Sequence, residues 1–268
     1  MQKKFKISFW ILPLVLTMSA SIAFAKKPQY TKMDVTNGGS LSGTVLFKGE
    51  VPPPVSVHLK NEKNSEFCLE NANPNKDGEL LIQHVEVKGG KLKDAVILIQ
   101  NIEKGKRWVK DRLKIQFKNC QAFPKVGVIQ KSPKRVTTNL VTIENHDAGV
   151  LHNPMGFSIG ETTRKIFFKK WLLNKGAKVD VTKSLKSIKK ERDFHFYIEC
   201  EQHLWMSVSS KVVWNPYHDI SKDDGSFKMN QIPPGHYKIV VWHPYVGEKT
   251  IEVDISAGAN TQLELTLP

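Results

Sequence analysis

The stretch that decides the fold class and the chemistry of this chain reads Phe194-His195-Phe196-Tyr197-Ile198-Glu199-Cys200-Glu201-Gln202-His203-Leu204-Trp205-Met206. Its first half alternates apolar and polar residues, a pattern that predicts a half-buried β-strand. Because side chains alternate across a strand, every second residue from Phe194 to Cys200 shares one face. Three apolar neighbours point that face inward. Cys200 is therefore predicted to enter the interior at the end of the strand, and His195 to face away from it.

The residues after Cys200 add two further metal-binding groups. His203 and Met206 follow in a predicted short loop and complete the spacing Cys-x2-His-x2-Met. Thiolate and thioether ligands favour copper, and two histidines, one cysteine and a weak axial methionine form the blue-copper electron-transfer site. A second histidine must then come from elsewhere, and His152, which follows a predicted strand and a polar turn, offers it. Taken singly, a buried cysteine or methionine is more often core; the joint pattern is what predicts copper.

The two segments resemble the cupredoxin family of blue-copper proteins over roughly residues 95–212. Residues 144–153 are similar to the first-histidine segment of plastocyanin-like members, in which an asparagine follows the ligand histidine. The Cys-x2-His-x2-Met loop has the spacing of amicyanin. The resemblance implies one type 1 copper with four ligands, namely His152, Cys200, His203 and Met206. It also implies that Asn153 ties the two ligand segments together, since outer hydrogen bonds fix ligand orientation.

The resemblance also implies a route for electrons. His203 is expected at the surface, where it serves as the electron port. A docking patch of the kind that weak redox encounters use is expected around it, formed by Leu204, Trp205, Met155, Lys169 and Lys170.

A strongly basic run lies between the two ligand segments. From Arg164 to Lys190 there are ten basic residues and one acidic residue, a net charge of +9. The run is either a solvated insertion or a docking surface for an acidic redox partner such as a c-type cytochrome, because opposed potentials raise encounter rates. Nucleic acid is not expected as a partner, since the chain is predicted to be exported and shows no stacking platform.

The end of the chain carries turn signals of a different kind. An Asp-Gly turn at residues 224–225 and the Pro-Pro-Gly bend at residues 233–235 each lead into an alternating strand. Residues 213–268 thereby resemble the carboxypeptidase regulatory-like module, a prealbumin-like β-sandwich. The segment Leu41 to Phe47 looks like the opening strand of that module. A split module with the cupredoxin-like part inserted therefore stays open beside a simple tandem order.

Short, evenly punctuated strands predict an all-β protein, with a cupredoxin-like β-sandwich and a prealbumin-like β-sandwich. Residues 60 to 80 are predicted to be loop, and only Trp171 to Lys190 offers room for a helix. The predicted order is a signal peptide at 1–25, a linker at 26–39, an N-terminal β segment at 40–94, the cupredoxin-like domain at 95–212 and the carboxypeptidase regulatory-like domain at 213–268.

The start of the chain predicts export. Three lysines precede the apolar run Phe9 to Leu16, and Ala23-Phe24-Ala25 supplies a small-x-small cleavage pattern, which is typical of a signal peptide. Cleavage near Ala25 leaves 268 − 25 = 243 residues and a formal charge of 14 − 3 = +11. We expect a periplasmic or otherwise exported protein without a membrane-spanning segment, because the run is far shorter than the roughly 20 residues a span needs.

Three cysteines in an oxidising compartment leave one unpaired. Cys68 and Cys120 both lie in turn-like surroundings and are the expected disulfide, and Cys200 stays free for the metal.

The predicted function is that of a one-electron carrier, not of an enzyme, because no acid–base pair or nucleophile constellation stands out. Two alternatives stay open at this point. One is a copper-binding or copper-handling protein that transfers the metal itself. The other is a structural envelope module that binds a sugar or a partner chain and has no redox role.

Overall fold

The computed structural model describes residues 30–108, 112–131, 140–160, 164–189 and 195–268. The predicted signal peptide and Phe194 lie outside these described residues. Strands dominate the described chain, which confirms the predicted all-β class. Within the same ranges, no helix has the length and apolar character needed to cross a membrane.

The strands up to residue 130 are β1 Thr31–Lys32, β2 Gly39–Phe47, β3 Val55–His58, β4 Glu79–Ile82, β5 Val87–Lys88, β6 Lys91–Leu92, β7 Val96–Ile99, β8 Lys104–Gly105, β9 Leu113–Lys118, β10 Gln121–Phe123 and β11 Val126–Gln130. The later strands are β12 Val141–Asn145, β13 Pro154–Ile159, β14 Arg164–Lys169, β15 Lys178–Asp180, β16 His195–Cys200, β17 His203–Val213, β18 His218–Ile220, β19 Ser226–Ile232, β20 Gly235–His243, β21 Gly247–Ile255 and β22 Asn260–Leu267. The helical elements in these ranges are α1, Ser65–Asn71, and the short 3-10 helices Leu59–Asn61 and Ser184–Ser187.

One β-sandwich, here called the accessory sandwich, joins both ends of the described chain. Its first sheet has the order β18-β7-β20-β21. In its second sheet, β2 pairs with β19, with β6 and, in parallel, with β22. Apolar side chains from early and late strands, such as Leu41, Ile97 and Ile239, share one core between the sheets. Strands on both sides of residues 113–213 thus build a single unit.

The domain boundary predicted at residue 95 is wrong for β7. This strand pairs with β18 and β20 of the accessory sandwich. Ile97 and Ile99 face the accessory core, whereas Val96 and Leu98 face a second apolar cluster shared with β11. An apolar run that is buried on both faces does not indicate which sheet it joins. Tyr30, inside the predicted linker at 26–39, likewise packs into the accessory core.

The second sandwich, here called the site sandwich, lies between these strands in sequence. Its sheets have the orders β10-β9-β12-β15 and β11-β17-β16-β13-β14. Both contain a parallel pair, β9 with β12 and β11 with β17. Phe117, Ile143 and Phe196 are among the side chains that fill the core between the sheets. In the five-stranded sheet, Pro154 of β13 lies opposite Cys200 of β16. The start of β13 and the end of β16 therefore lie at the same end of the sandwich.

A small third unit, here called the cap, comprises residues 55–82. Its strands β3 and β4 pair antiparallel, and α1 lies between them in sequence. The predicted disulfide is confirmed: Cys68 of α1 is bonded to Cys120, with their Cα atoms 5.5 Å apart. α1 falls in the stretch predicted to be loop. It has only seven residues, and although Asn64 stands at its N-cap and Glu66 in its first turn, the Asn64 side chain makes no capping hydrogen bond, so the start signal is weak.

The described residues after Trp171, where room for a helix was expected, instead form β15 and a 3-10 turn.

Candidate metal centre

A tight hairpin places two of the predicted ligands side by side. β16 ends at Cys200, and β17 begins at His203, so only Glu201 and Gln202 separate the strands and Cys200 pairs with His203 across them. The prediction that His203 and Met206 lie in a loop is therefore wrong, because the turn is complete before His203 and both residues belong to β17. The strand parity of β16 is as expected: Phe196, Ile198 and Cys200 are buried.

His152 joins this hairpin from the neighbouring strand. It lies two residues before the start of β13, which pairs with β16. The potential ligand atoms of His152, Cys200 and His203 all lie within 4.8 Å of one another, and all three residues are buried. Two chain segments separated by 48 residues thus meet in one cluster.

The distances inside the cluster fit a shared ion. The Cys200 Sγ lies 3.6 Å from Nδ1 of His152 and 3.6 Å from Nδ1 of His203. Sulfur and nitrogen ligands at about 2.3 and 2.0 Å from one ion, at a tetrahedral angle, are about 3.5 Å apart. Both imidazoles direct the same ring nitrogen toward the sulfur, as two ligands of a common ion would.

The surroundings favour the thiolate form of Cys200. Burial by itself raises the pKa of this thiol, but hydrogen bonds from His152, His203 and the backbone N–H of Asn153 outweigh it and lower the pKa to about 6. Burial lowers the pKa of His152, yet the Asp147 carboxylate and the Cys200 sulfur outweigh that effect and raise it. A thiolate is the form of cysteine that binds metal, so the cluster is electrostatically prepared for a cation.

Each histidine is also held from its far side. The Nε2 of His152 lies 3.0 Å from the buried carboxylate of Asp147. The Nε2 of His203 lies 3.2 Å from the backbone carbonyl oxygen of Lys63 in the cap. Such partners fix the ring orientation and leave Nδ1 free to bind metal. Neither partner is predicted by the sequence patterns, although an acidic residue five positions before a ligand histidine, in a turn after a strand, is a usable signal for Asp147.

Asn153 links the two ligand segments through its main chain. Its N–H donates to the Cys200 Sγ at 3.4 Å, and its carbonyl oxygen accepts from the N–H of Glu201 at 2.9 Å. Its side-chain Oδ1 is buried and has no hydrogen-bond partner within the described ranges. Asn153 thus stands at the position that the resemblance implied, but backbone atoms make the link.

Met206 is fully buried on β17 and belongs to the same core cluster as Cys200. Its role as an axial ligand stays a prediction.

The expectation that His203 reaches the surface is wrong. Its exposed fraction is 0%, because Lys63 of the cap covers the ring edge that was expected to face solvent. The cap is attached here by the disulfide and by a hydrogen bond from the Trp205 indole N–H to the Cys120 carbonyl at 2.8 Å.

The predicted docking patch is also only partly exposed. Met155 is buried, with 6% exposure, because it lies inside the sheet between β14 and β16. Leu204 is 69% exposed. Trp205 and Lys170 are half-buried, and Lys169 is exposed but paired with Glu201 at 2.6 Å. These residues therefore do not surround an exposed histidine.

The strand pairing and the site define the class of this protein: an all-β chain with a buried His-Cys-His group able to hold a metal ion. No protein-family model and no curated protein matches the chain. Among solved structures, a copper-containing nitrite reductase from Thermus scotoductus SA-01 is similar over 40% of this chain and 24% of its own, with 17% identity and a TM-score of 0.27. This chain therefore spans about a quarter of the reductase.

A minor pilin of Streptococcus agalactiae is similar over 85% of this chain and 95% of its own, with 9% identity and a TM-score of 0.16. Similarities at these TM-scores do not indicate a function, whereas the geometry of the site does.

Proposed function

We propose that this protein is a type 1 copper protein that carries single electrons. The observation that supports the proposal is the placement of two imidazole Nδ1 atoms, each 3.6 Å from a buried cysteine sulfur. His152, Cys200 and His203 would hold the ion, with Met206 as a weak axial ligand, and copper bound there would supply a one-electron couple tuned by its thiolate and thioether ligands. Zinc is disfavoured, since a thioether is a poor ligand for it.

The residues of the chain suit electron carriage better than catalysis. The ligand cysteine and histidine sit at the ends of paired strands. The Asn153 N–H donates a hydrogen bond to the sulfur, and the Asp147 carboxylate and the Lys63 carbonyl accept hydrogen bonds from the two imidazoles, which holds the ligand atoms in place. A site preorganised in this way has little to rearrange between two oxidation states. All ligand groups are also buried, so no substrate-sized opening faces them in the described chain. We therefore propose no enzymatic activity.

The metal-transfer alternative is less well supported by the same contacts. A protein that hands its metal to another must let a ligand or the ion reach the partner. Here His203 is covered by the cap, and a disulfide ties the cap to the site sandwich. Slow exchange of bound copper with a soluble chelator is expected of the electron carrier, whereas rapid exchange would favour the metal carrier.

Copper loading tests the proposal directly. The Cu(II) form of the wild-type protein should be intensely blue, and one electron per copper from ascorbate should bleach it reversibly. Cys200→Ser should abolish the colour, because the absorption arises from the thiolate bond. Cys68→Ser with Cys120→Ser is the matched control, since it also removes sulfur but should leave the colour. A colourless wild-type protein with one copper bound would overturn the proposal.

We further propose that the protein works outside the cytoplasm. The Cys68–Cys120 disulfide supports this location, because such bonds persist in oxidising compartments. Fractionation of cells that express the full chain should find it in the periplasm with its N-terminus near residue 26. Recovery of the uncleaved chain in the cytoplasm would contradict the prediction.

A further inference from the structure

The electron port expected at His203 is closed, so electrons need another way through the protein. Neither ligand histidine is exposed: His203 ends against the Lys63 carbonyl and His152 ends against the buried Asp147 carboxylate. A covering segment that serves as the port must contact a ligand residue and expose a surface that a partner can bind.

A single extended segment covers His152 along its main chain. The N–H of Leu172 donates to the His152 carbonyl at 2.8 Å, and the N–H of His152 donates to the Leu172 carbonyl at 3.2 Å. Paired chains of this kind lie about 4.8 Å apart. Leu172 is 1% exposed, so its side chain points into the core of the site sandwich. Two hydrogen bonds thus join a ligand residue to the next layer of chain.

The two neighbours of Leu172 form an exposed apolar pair. Because adjacent side chains of an extended chain point to opposite sides, Trp171 and Leu173 face solvent, with exposures of 64% and 60%. Large apolar side chains this exposed, next to each other and beside a ligand segment, are features of weak protein–protein contacts.

The charge around this pair is predominantly positive, although Arg164, Lys169 and Lys178 pair with Glu199, Glu201 and Glu144. The described residues 164–189 contain nine basic residues and one acidic residue, Asp180. Lys170 and Lys175 lie within two positions of the apolar pair. On the His203 side, residues 59–72 of the cap contain two basic and three acidic residues. An acidic partner is therefore attracted to the Trp171 side and not to the His203 side.

We propose that Trp171 and Leu173, with the surrounding lysines, are the docking surface for an acidic haem protein that exchanges electrons with this site. The inference rests on the proposed electron-carrier function and assigns its port to the Leu172–His152 pair. With copper held by His152, Cys200 and His203, one electron would pass from the partner's Fe(II), which would become Fe(III), to the Cu(II) form of the site, which would become Cu(I). No bond breaks and no proton moves.

Electron-transfer kinetics distinguish this port from the expected one. The probe is a reduced c-type cytochrome whose exposed haem edge is ringed by carboxylates, mixed with the blue Cu(II) protein in a stopped-flow instrument. Trp171→Ala and Leu173→Ala should each lower the second-order rate constant at least about fivefold. Leu204→Ala represents the rival port, and Leu81→Ala, at a leucine of the cap that is 53% exposed, is the inert control. All four variants should remain blue.

A drop for Leu204→Ala with no drop at residues 171 and 173 would overturn the proposal, as would unchanged rates for all variants. The rate should also fall steeply with salt and be lower for a basic cytochrome. A rate constant that depends neither on salt nor on the charge of the cytochrome would count against an acidic partner.

A second readout needs no copper. The copper-free protein should bind the oxidised acidic cytochrome weakly, as seen in shifts of its haem NMR signals, and Leu173→Ala should weaken that binding while Leu81→Ala should not. If wild type fails to accept electrons even from ascorbate, the proposed function fails, yet this binding experiment still decides the docking surface. Equal binding by wild type and Leu173→Ala would refute the surface itself.

Discussion

Asp147 connects the ligand His152 to the cap disulfide. Its carboxylate is 1% exposed and accepts three hydrogen bonds, from the N–H of Asn119 at 2.5 Å, from the N–H of Cys120 at 3.1 Å and from the His152 ring at 3.0 Å. Asn119 and Cys120 both have positive φ angles, so their N–H groups converge on one acceptor. One carboxylate thereby holds a strained turn and orients a ligand imidazole.

Asp147→Asn should lower copper affinity by about 10–100-fold, the usual effect of changing an outer partner of a ligand histidine. The amide keeps the shape but removes the negative charge opposite the imidazole. Competition with a Cu(I) chelator measures the affinity. Urea unfolding of the copper-free protein shows whether the variant has also lost stability in general. Asp254→Asn, at an exposed carboxylate, is the control. Equal affinities for both variants would show that Asp147 only stabilises the turn.

At the scale of elements, the cap is what distinguishes this site from an open one. Leu59, Cys68 and Leu80 form a small core of their own, which Trp205 of β17 joins. The Trp205 ring also meets the His203 ring edge to face, with centroids 5.2 Å apart. The contacts that attach the cap include the disulfide, the indole hydrogen bond and a 2.6 Å hydrogen bond from Lys63 Nζ to Gln202.

Replacing both Cys68 and Cys120 with serine should lower the free energy of unfolding by about 4 kcal/mol, the chain-entropy value for a loop of this length. The sequence separation of 52 residues sets that length. Urea unfolding of the copper-free protein measures it.

The same double variant should remain blue but lose Cu(I) to a chelator faster than wild type, because the cap then opens above His203. If the chelator acts at the wild-type rate while stability falls as expected, the cap does not control access to the site.

At the scale of the whole molecule, the three units pack around buried polar groups. Lys211 of β17 is buried, pairs with Glu248 of β21 and lies over the Trp242 ring of β20. A small cavity at the junction is lined by residues of all three units, among them Ile82, Trp205 and His243. Val96, Val126 and Trp242 belong to the apolar cluster that completes the contact between the sandwiches. The relative placement of the units therefore depends on groups that titrate.

Stability should fall as the pH drops from about 6.5 to about 4. Burial, with a contribution from His84, lowers the pKa of His243 from 6.5 to about 4. Burial and the Lys211 charge also lower the pKa of His195 to about 4. The unfolded chain binds these protons at higher pH than the folded chain does. The stabilisation is therefore complete above pH 6.5 and is lost as the pH falls through 4.

His243→Asn should flatten this slope, because asparagine stays neutral and still offers an acceptor for the Tyr245 N–H. The change is at most about 3 kcal/mol between the two ends of the range. Urea unfolding of the copper-free protein at pH 4 to 8 measures it. His236→Asn is the control, since Asp254 and Glu252 raise the pKa of that exposed histidine and its effect lies above pH 6.5. A slope unchanged by His243→Asn would contradict the assignment.

The amino-acid sequence by itself determined the chemistry of the cluster and the strand that carries it. Cys200 and His203 are three residues apart, so a two-residue hairpin turn places them opposite each other. The alternation of β16 likewise decides which side chains point inward, because strand geometry has a period of two. The all-β class followed from the same local alternation, whereas the disulfide between Cys68 and Cys120, 52 residues apart, was expected from turn-like surroundings and its geometry came from the tertiary structure.

Only the tertiary structure decided what covers the site and which unit each strand joins. Asp147, Lys63 and Leu172 reach the ligand histidines through contacts that no spacing rule contains, and β7 joins a sheet whose other strands lie more than a hundred residues away. The cap buries His203 because the carbonyl oxygen of Lys63, 140 residues earlier in the chain, lies against its ring. Burial of this kind depends on the shapes of distant surfaces, whereas local geometry depends on the backbone alone.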